Sequence, residues 1–174
     1  MTASVASPAV QLIFLCTGNA ARSVMAGAMF AARRPEATVI TAGTYVVDGQ
    51  PISWRTRDAL ASVGYEASKH RSAQLRAYDL PETDAIIAMA NEHVEWMRRE
   101  NPEAADRTIT LHRLVRDLAP GDEPFAHRLK LLQPATVTLE PWEEVADPAG
   151  GELPEYTACA QEIDGLVARL AELA

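Results

Sequence analysis

The chain holds only two cysteines, Cys16 and Cys159, which excludes a disulfide framework. A working thiol needs a reducing compartment, so the cytoplasm is the expected location. Lysine is almost missing: Lys69 and Lys130 stand alone, and arginine carries nearly all positive charge. Lysine and arginine together number 16 against 24 acidic residues, a net of −8. That balance speaks against nucleic acid and anionic membrane as general partners. No apolar run approaches the roughly 20 residues of a membrane span. Residues 1–10 lack a basic start, and the apolar run after them is too short for a secretory signal. The lysine-bearing nucleotide loop and the Gly-x-Ser-x-Gly hydrolase elbow are both missing. His93, His112 and His127 have no metal-ligand spacing and read as structural or solvated. No metal and no cofactor is expected.

What is present describes one ordinary globular domain of 174 residues with 48% hydrophobic content. Residues 1–9 read as a flexible tail and 10–174 as the domain. Strands are expected at 10–15, 37–42, 85–88 and 108–111. Helices are expected at 22–33, at 54–63 behind a Ser53 cap, from an Asn91 cap to 100, and at 154–173. The last should bury Tyr156, Ala160, Ile163, Leu166, Val167, Leu170 and Leu173, with Cys159 beside that face as a buried thiol. Residues 70–78 read as a short helix or irregular turn. Strands alternating with helices predict an α/β fold: a single three-layer domain, a central four-stranded parallel sheet, and helices on both faces. The strand C-termini then share one edge, where such sheets bind ligands. Residues 113–146, helical near 124–132 and broken by Pro134 and Pro141, read as an insertion or lid.

One stretch carries chemistry. Leu12-Ile-Phe-Leu-Cys16 reads as a buried strand, Gly18-Asn19 as a turn, and Arg22-Ser23 as a helix start. A loop this short over a helix N-terminus turns successive N–H groups inward, which makes an anion site. Gly18 is expected to supply special backbone geometry, and Asn19 tolerates the left-handed region. The N–H groups of Thr17, Gly18, Asn19, Ala20 and Ala21 line the cradle. Arg22 can grip two oxygens of a tetrahedral oxyanion. The helix end, the N–H groups and the guanidinium all favour a thiolate at Cys16. Ser23 is placed to donate to the same sulfur. This is a nucleophile inside a phosphate site.

Cys-x5-Arg-Ser with Gly18 and Asn19 resembles the low-molecular-weight protein tyrosine phosphatase family. Thr41-Ala-Gly-Thr44, His70-Arg-Ser-Ala-Gln74-Leu75, Asp84 to Asn91, and Asp147-Pro148 resemble further segments of that family, in family order. The resemblance implies a phosphocysteine intermediate on Cys16, phosphate binding by Arg22, and Asp147 as general acid and then base. It implies that Asn19 and His70 hold the loop and that Thr44 buttresses it. The implied substrate is a phosphorylated protein, phosphotyrosine first, or a small phosphate ester. The expected state is a monomer or weak dimer.

The resemblance breaks in places. Ala21 stands where the family has a second cysteine, Val24 where it has proline, and Gly27 where it has an acid. Ala73 and Ala90 replace an arginine and an aspartate, and Ala149-Gly150-Gly151 stands where tyrosine-specific eukaryotic members carry aromatic residues; bacterial members often have glycine nearby and a tyrosine downstream, as Tyr156 is here. Tyr45 and Trp142 are the candidates for an aromatic wall. Phosphoarginine-selective members carry threonine where this chain has Ala20, which argues against that substrate. Two other functions stay open. One is arsenate reduction with a low-molecular-weight thiol. The other is a catalytically weak oxyanion-binding regulator.

Overall fold

The computed structural model describes residues 9–174; of the tail expected at 1–9, residues 1–8 lie outside the described residues. Four parallel strands are ordered β2-β1-β3-β4: β1 (Gln11–Cys16), β2 (Thr38–Gly43), β3 (Ala85–Ala88) and β4 (Thr108–Thr110). The register pairs Cys16 with Gly43 and Leu15 with Ala88, so the strands end together. β1 is central and apolar on both faces. Leu12, Phe14 and Cys16 face a core built with Met25, Phe30, Ile163 and Val167. Ile13 and Leu15 face a second core with Leu75, Ile86 and Met97. A strand buried on both sides needs this continuous apolar run rather than alternation.

Helices cover both faces. α1 (Arg22–Arg33) and α2 (Trp54–Ser62) lie with the terminal helix on the first core. α3 (Asn91–Glu100) contributes Met97 to the second. α4 (Leu111–Asp117), α5 (Phe125–Lys130) and α6 (Leu153–Leu173) complete the chain. Gly27 is where α1 closes on β2: a Cβ there would stand 2.3 Å from the Thr41 methyl. Ser53 caps α2 as expected, accepting from the Thr56 N–H at 3.2 Å. On α6, Cys159, Ala160, Ile163, Val167 and Leu170 are buried, while Tyr156, Leu166 and Leu173 are partly so.

Several local expectations shift. β1 and β2 each start and end one residue later than read. Asn91 is the first residue of α3 and not its cap; its N–H goes to the Glu144 carboxylate at 3.1 Å, so a distant segment replaces the local cap. β4 stops at Thr110 because the Thr110 hydroxyl accepts from the Arg113 N–H and starts α4. Residues 70–78 are irregular, with a bridge from Gln74 to Gly43 on the open edge of β2 and a 3-10 turn beginning at Ala77. No helix among the described residues is long and apolar enough to cross a membrane.

Candidate active site

The loop after β1 turns through bends at residues 17–21 and enters α1 at Arg22. Among the described residues, no N–H from Thr17 to Ala21 donates to a protein acceptor. Unpaired N–H groups at a helix start are the donors that an anion site uses. Asn19 is the strained member, with φ +49° and a fully buried side chain. Gly18 does not enter the left-handed region, and a Cβ on it would meet nothing within 4 Å. Special backbone freedom therefore belongs to Asn19 and not to Gly18.

Asn19 earns its conformation through three contacts. Its Oδ1 accepts from the Ala73 N–H at 2.9 Å, and its Nδ2 donates to Ser23 Oγ at 2.8 Å. Its carbonyl accepts from His70 Nε2 at 2.8 Å. Burial pushes the His70 imidazole below its ordinary range, against the pull of that carbonyl. Ser23 Oγ lies 3.0 Å from Cys16 Sγ. Because Ser23 already accepts from Asn19, its own proton is free for the sulfur. Thr44 meets the loop through its backbone: its N–H donates to the Cys16 carbonyl at 3.0 Å. Tyr45 N–H donates likewise to Thr17, and the Tyr45 ring is exposed.

Arg22 is buried and fully engaged on one side. Nη1 donates to the Val145 carbonyl at 3.1 Å, and Nη2 stands 3.0 Å from Asp147 Oδ2. Asp147 is half exposed, and its Oδ1 accepts from the Ala149 N–H at 3.1 Å. So the strand end, the helix start and the residue 140–150 segment bring Cys16, Ser23, Arg22 and Asp147 into one place.

Other residues meet the loop without having been given a role there from the sequence. Gly43 backs the loop: a Cβ there would fall 2.4 Å from the Thr17 carbonyl and 2.3 Å from a Val46 methyl. Thr56 donates its hydroxyl to the Ala20 carbonyl at 3.0 Å. Buried His93 sits 2.9 Å from the Thr17 hydroxyl through Nε2, and its Nδ1 has no partner. Burial, with the Arg22 charge, drops its imidazole to about 3. His93 is thus a neutral neighbour of the loop. Trp142 does not flank the loop. Its ring lies under Arg116 and near Arg113, and it lines a groove with His112, Leu166 and Arg169. Trp54, half-exposed at the start of α2, carries the Arg55 guanidinium over its ring. Cys159 is buried, and its thiol is pushed up to about 12 by burial, against the pull of Arg22.

The family described as low molecular weight phosphotyrosine protein phosphatase matches residues 11–173. The chain belongs to that family. It is a phosphatase of the phosphoric monoester hydrolase kind. Protein-arginine-phosphatase from Geobacillus stearothermophilus is 31% identical over 93% of this chain and 94% of its own length. The structure of the YwlE arginine phosphatase from the same organism superposes with TM-score 0.75 at 30% identity, covering 94% of this chain and 91% of that one. The low molecular weight protein tyrosine phosphatase from T. tengcongensis also gives TM-score 0.75 at 30% identity, over 94% and 99%. The four-stranded parallel sheet and its single α/β domain agree with these neighbours. Among the described residues of this phosphatase, no cluster of three metal-ligating acid, histidine or cysteine side chains occurs.

Proposed function

We propose that this phosphatase hydrolyses phosphomonoesters on proteins, phosphotyrosine first among them, through a phosphocysteine on Cys16. One arrangement carries the reading: a serine hydroxyl 3.0 Å from the thiol, and a carboxylate 3.0 Å from the buried arginine of the same loop. The Cys16 thiolate attacks phosphorus, and the bond from phosphorus to the ester oxygen breaks. Asp147 gives its proton to that oxygen as it leaves. The free N–H groups of residues 17–21 and Arg22 hold the equatorial oxygens, where charge builds. Asp147, now a carboxylate, takes a proton from water as water attacks the phosphocysteine. The sulfur leaves as thiolate, stabilised by Ser23, and inorganic phosphate is released. Asn19, His70 and Thr44 keep the loop in shape.

Two exposed aromatics support an aryl ester. Tyr45 and Trp54 are exposed on segments that bond the loop directly or through Thr56, and the Ala20 methyl is exposed with them. A second reading, phosphoarginine, is favoured by the 31% identical arginine phosphatase. Ala20 weighs against it, because a methyl cannot hydrogen-bond a guanidinium.

The test compares para-nitrophenyl phosphate, a phosphotyrosyl peptide and a phosphoarginyl protein, with thiol-dependent arsenate reduction on the same preparations. Wild type should turn over the aryl and tyrosyl esters, and Cys16→Ser should abolish this while still binding phosphate. Preference for phosphoarginine would transfer the proposal to the second substrate. Residual turnover in Cys16→Ser would overturn the covalent route.

A further inference from the structure

The segment that carries Asp147 is held from beneath by a buried ion pair that the steps above do not use. Glu143 is fully buried. Its carboxylate accepts from Arg113 Nη2 at 2.5 Å, Thr110 Oγ1 at 2.6 Å and the Glu140 N–H at 2.8 Å. Burial pushes this carboxyl up, but Arg113, Thr110 and the Glu140 N–H outweigh it and hold it below the usual range. Arg113 also donates to the Thr138 carbonyl at 2.9 Å. One guanidinium therefore registers both ends of the 138–143 stretch against β4 and α4.

The same line continues to the acid. Two residues past Glu143, the Val145 N–H donates to the Met89 carbonyl at 2.9 Å, at the end of β3. The Val145 carbonyl accepts from Arg22. Two residues further, Asp147 meets the same guanidinium. Arg98 pins the stretch before it, donating to the Pro134 and Val137 carbonyls at 2.7 and 2.8 Å.

A buried pair is a poor way to gain stability alone. Apolar side chains of equal volume are often as good or better, because desolvation offsets the attraction. What an ion pair adds is a single geometry. We propose that Arg113 and Glu143, with Thr110, are positioning residues that set the register of Asp147 over Arg22. This rests on Asp147 being the general acid. It makes residues 113–146 a fixed support for the acid and not a lid.

The test reads leaving-group dependence, which a merely structural role would not alter. Phenyl phosphate needs a proton on its leaving oxygen; dinitrophenyl phosphate leaves well without one. The Arg113→Met/Glu143→Leu double variant keeps volume and removes both charges. Its kcat/KM for phenyl phosphate should fall about tenfold or more, a part of the roughly 100- to 10,000-fold that a general acid supplies. Its kcat/KM for dinitrophenyl phosphate should stay within about threefold of wild type, and its inhibition by inorganic phosphate should hold. If the double variant does not fold, Glu143→Gln is read for the same contrast. Equal loss on both substrates, or no loss on either, overturns the proposal. Asp147→Asn is the reference. If it shows the contrast and the pair variants do not, the positioning proposal alone fails. If Asp147→Asn shows none, the acid reading fails and takes the proposal with it.

Discussion

Arg22 Nη2 stands 3.0 Å from Asp147 Oδ2 while Nη1 of the same guanidinium donates to the Val145 carbonyl. A single planar fork thus joins the Cys16 loop to the Asp147 segment. Lysine cannot do this, since it offers one compact charge and no second fixed donor. Arg22→Lys should therefore weaken phosphate inhibition by about 2 kcal/mol, roughly thirtyfold, which is the scale of a lost charged hydrogen bond. It should also loosen the 140–150 segment, seen as faster proteolysis there. Unchanged phosphate inhibition would separate Arg22 from oxyanion binding.

Ser23 lies between Asn19 and Cys16, accepting from one and free to donate to the other. Ser23→Ala removes the donor to the sulfur and leaves Asn19 Nδ2 buried without its acceptor. Alkylation of Cys16 by iodoacetamide at mildly acidic pH should slow by about tenfold, the scale of one hydrogen bond to a charged group. An alkylation profile that matches wild type would mean that Ser23 does not act on the thiolate.

The residues most open to sequence reading were those whose chemistry restricts residue type at fixed spacing. Cys16, Arg22 and Ser23 sit on one strand–loop–helix unit, so local spacing already places them together. Asp147 was reached through the family resemblance, since Asp-Pro alone also starts ordinary turns. Thr56 was not found, Gly43 had no role of its own within Thr41-Ala-Gly-Thr44, and His93 read only as structural or solvated, because each reaches the loop from a separate segment that local spacing does not connect to it. The same cause explains Asn91, whose cap comes from Glu144 and not from its own side chain. Thr-Ile-Thr-Leu alternates like a strand through Leu111, yet the Thr110 hydroxyl ends it by capping α4. Tertiary partners decided Gly43, Thr56, His93 and Asn91, and local pattern does not record them; at Thr110 a local helix cap overrides the strand alternation.

Gly43 and Gly18 make a paired prediction. A Cβ at Gly43 would meet the Thr17 carbonyl and a Val46 side chain well inside contact distance, whereas one at Gly18 would meet nothing within 4 Å. Gly43→Ala must push the loop backbone and should lose about 1–3 kcal/mol of stability, with most of the activity. Gly18→Ala should shift stability by less than about 0.5 kcal/mol. Thermal melts and aryl phosphate turnover on both variants check this. A tolerated Gly43→Ala would mean that the loop is not seated against β2.

His93 makes the acid stability of the fold depend on one buried imidazole. Its folded value lies near 3, below the ordinary 6.5 of an imidazole, chiefly through burial and then through the Arg22 charge. Glu92 lies 3.5 Å away and favours the proton, but it is mostly exposed and screened by water. A depressed value means that the unfolded chain takes the proton first as pH falls. The stabilisation is complete above the unfolded value and is lost as pH drops from there toward the folded one, at about 1.4 kcal/mol per pH unit. Between pH 7 and pH 5 the residue should therefore account for a loss of about 2 kcal/mol. His93→Gln keeps a donor for the Thr17 hydroxyl and cannot titrate. Its stability, from denaturant unfolding at the two pH values, should fall less than wild type by about that amount. Equal falls in both proteins would mean that the folded imidazole accepts its proton as readily as the unfolded one. The neutral contact to Thr17 would then be lost on acidification and could not support the loop below neutral pH.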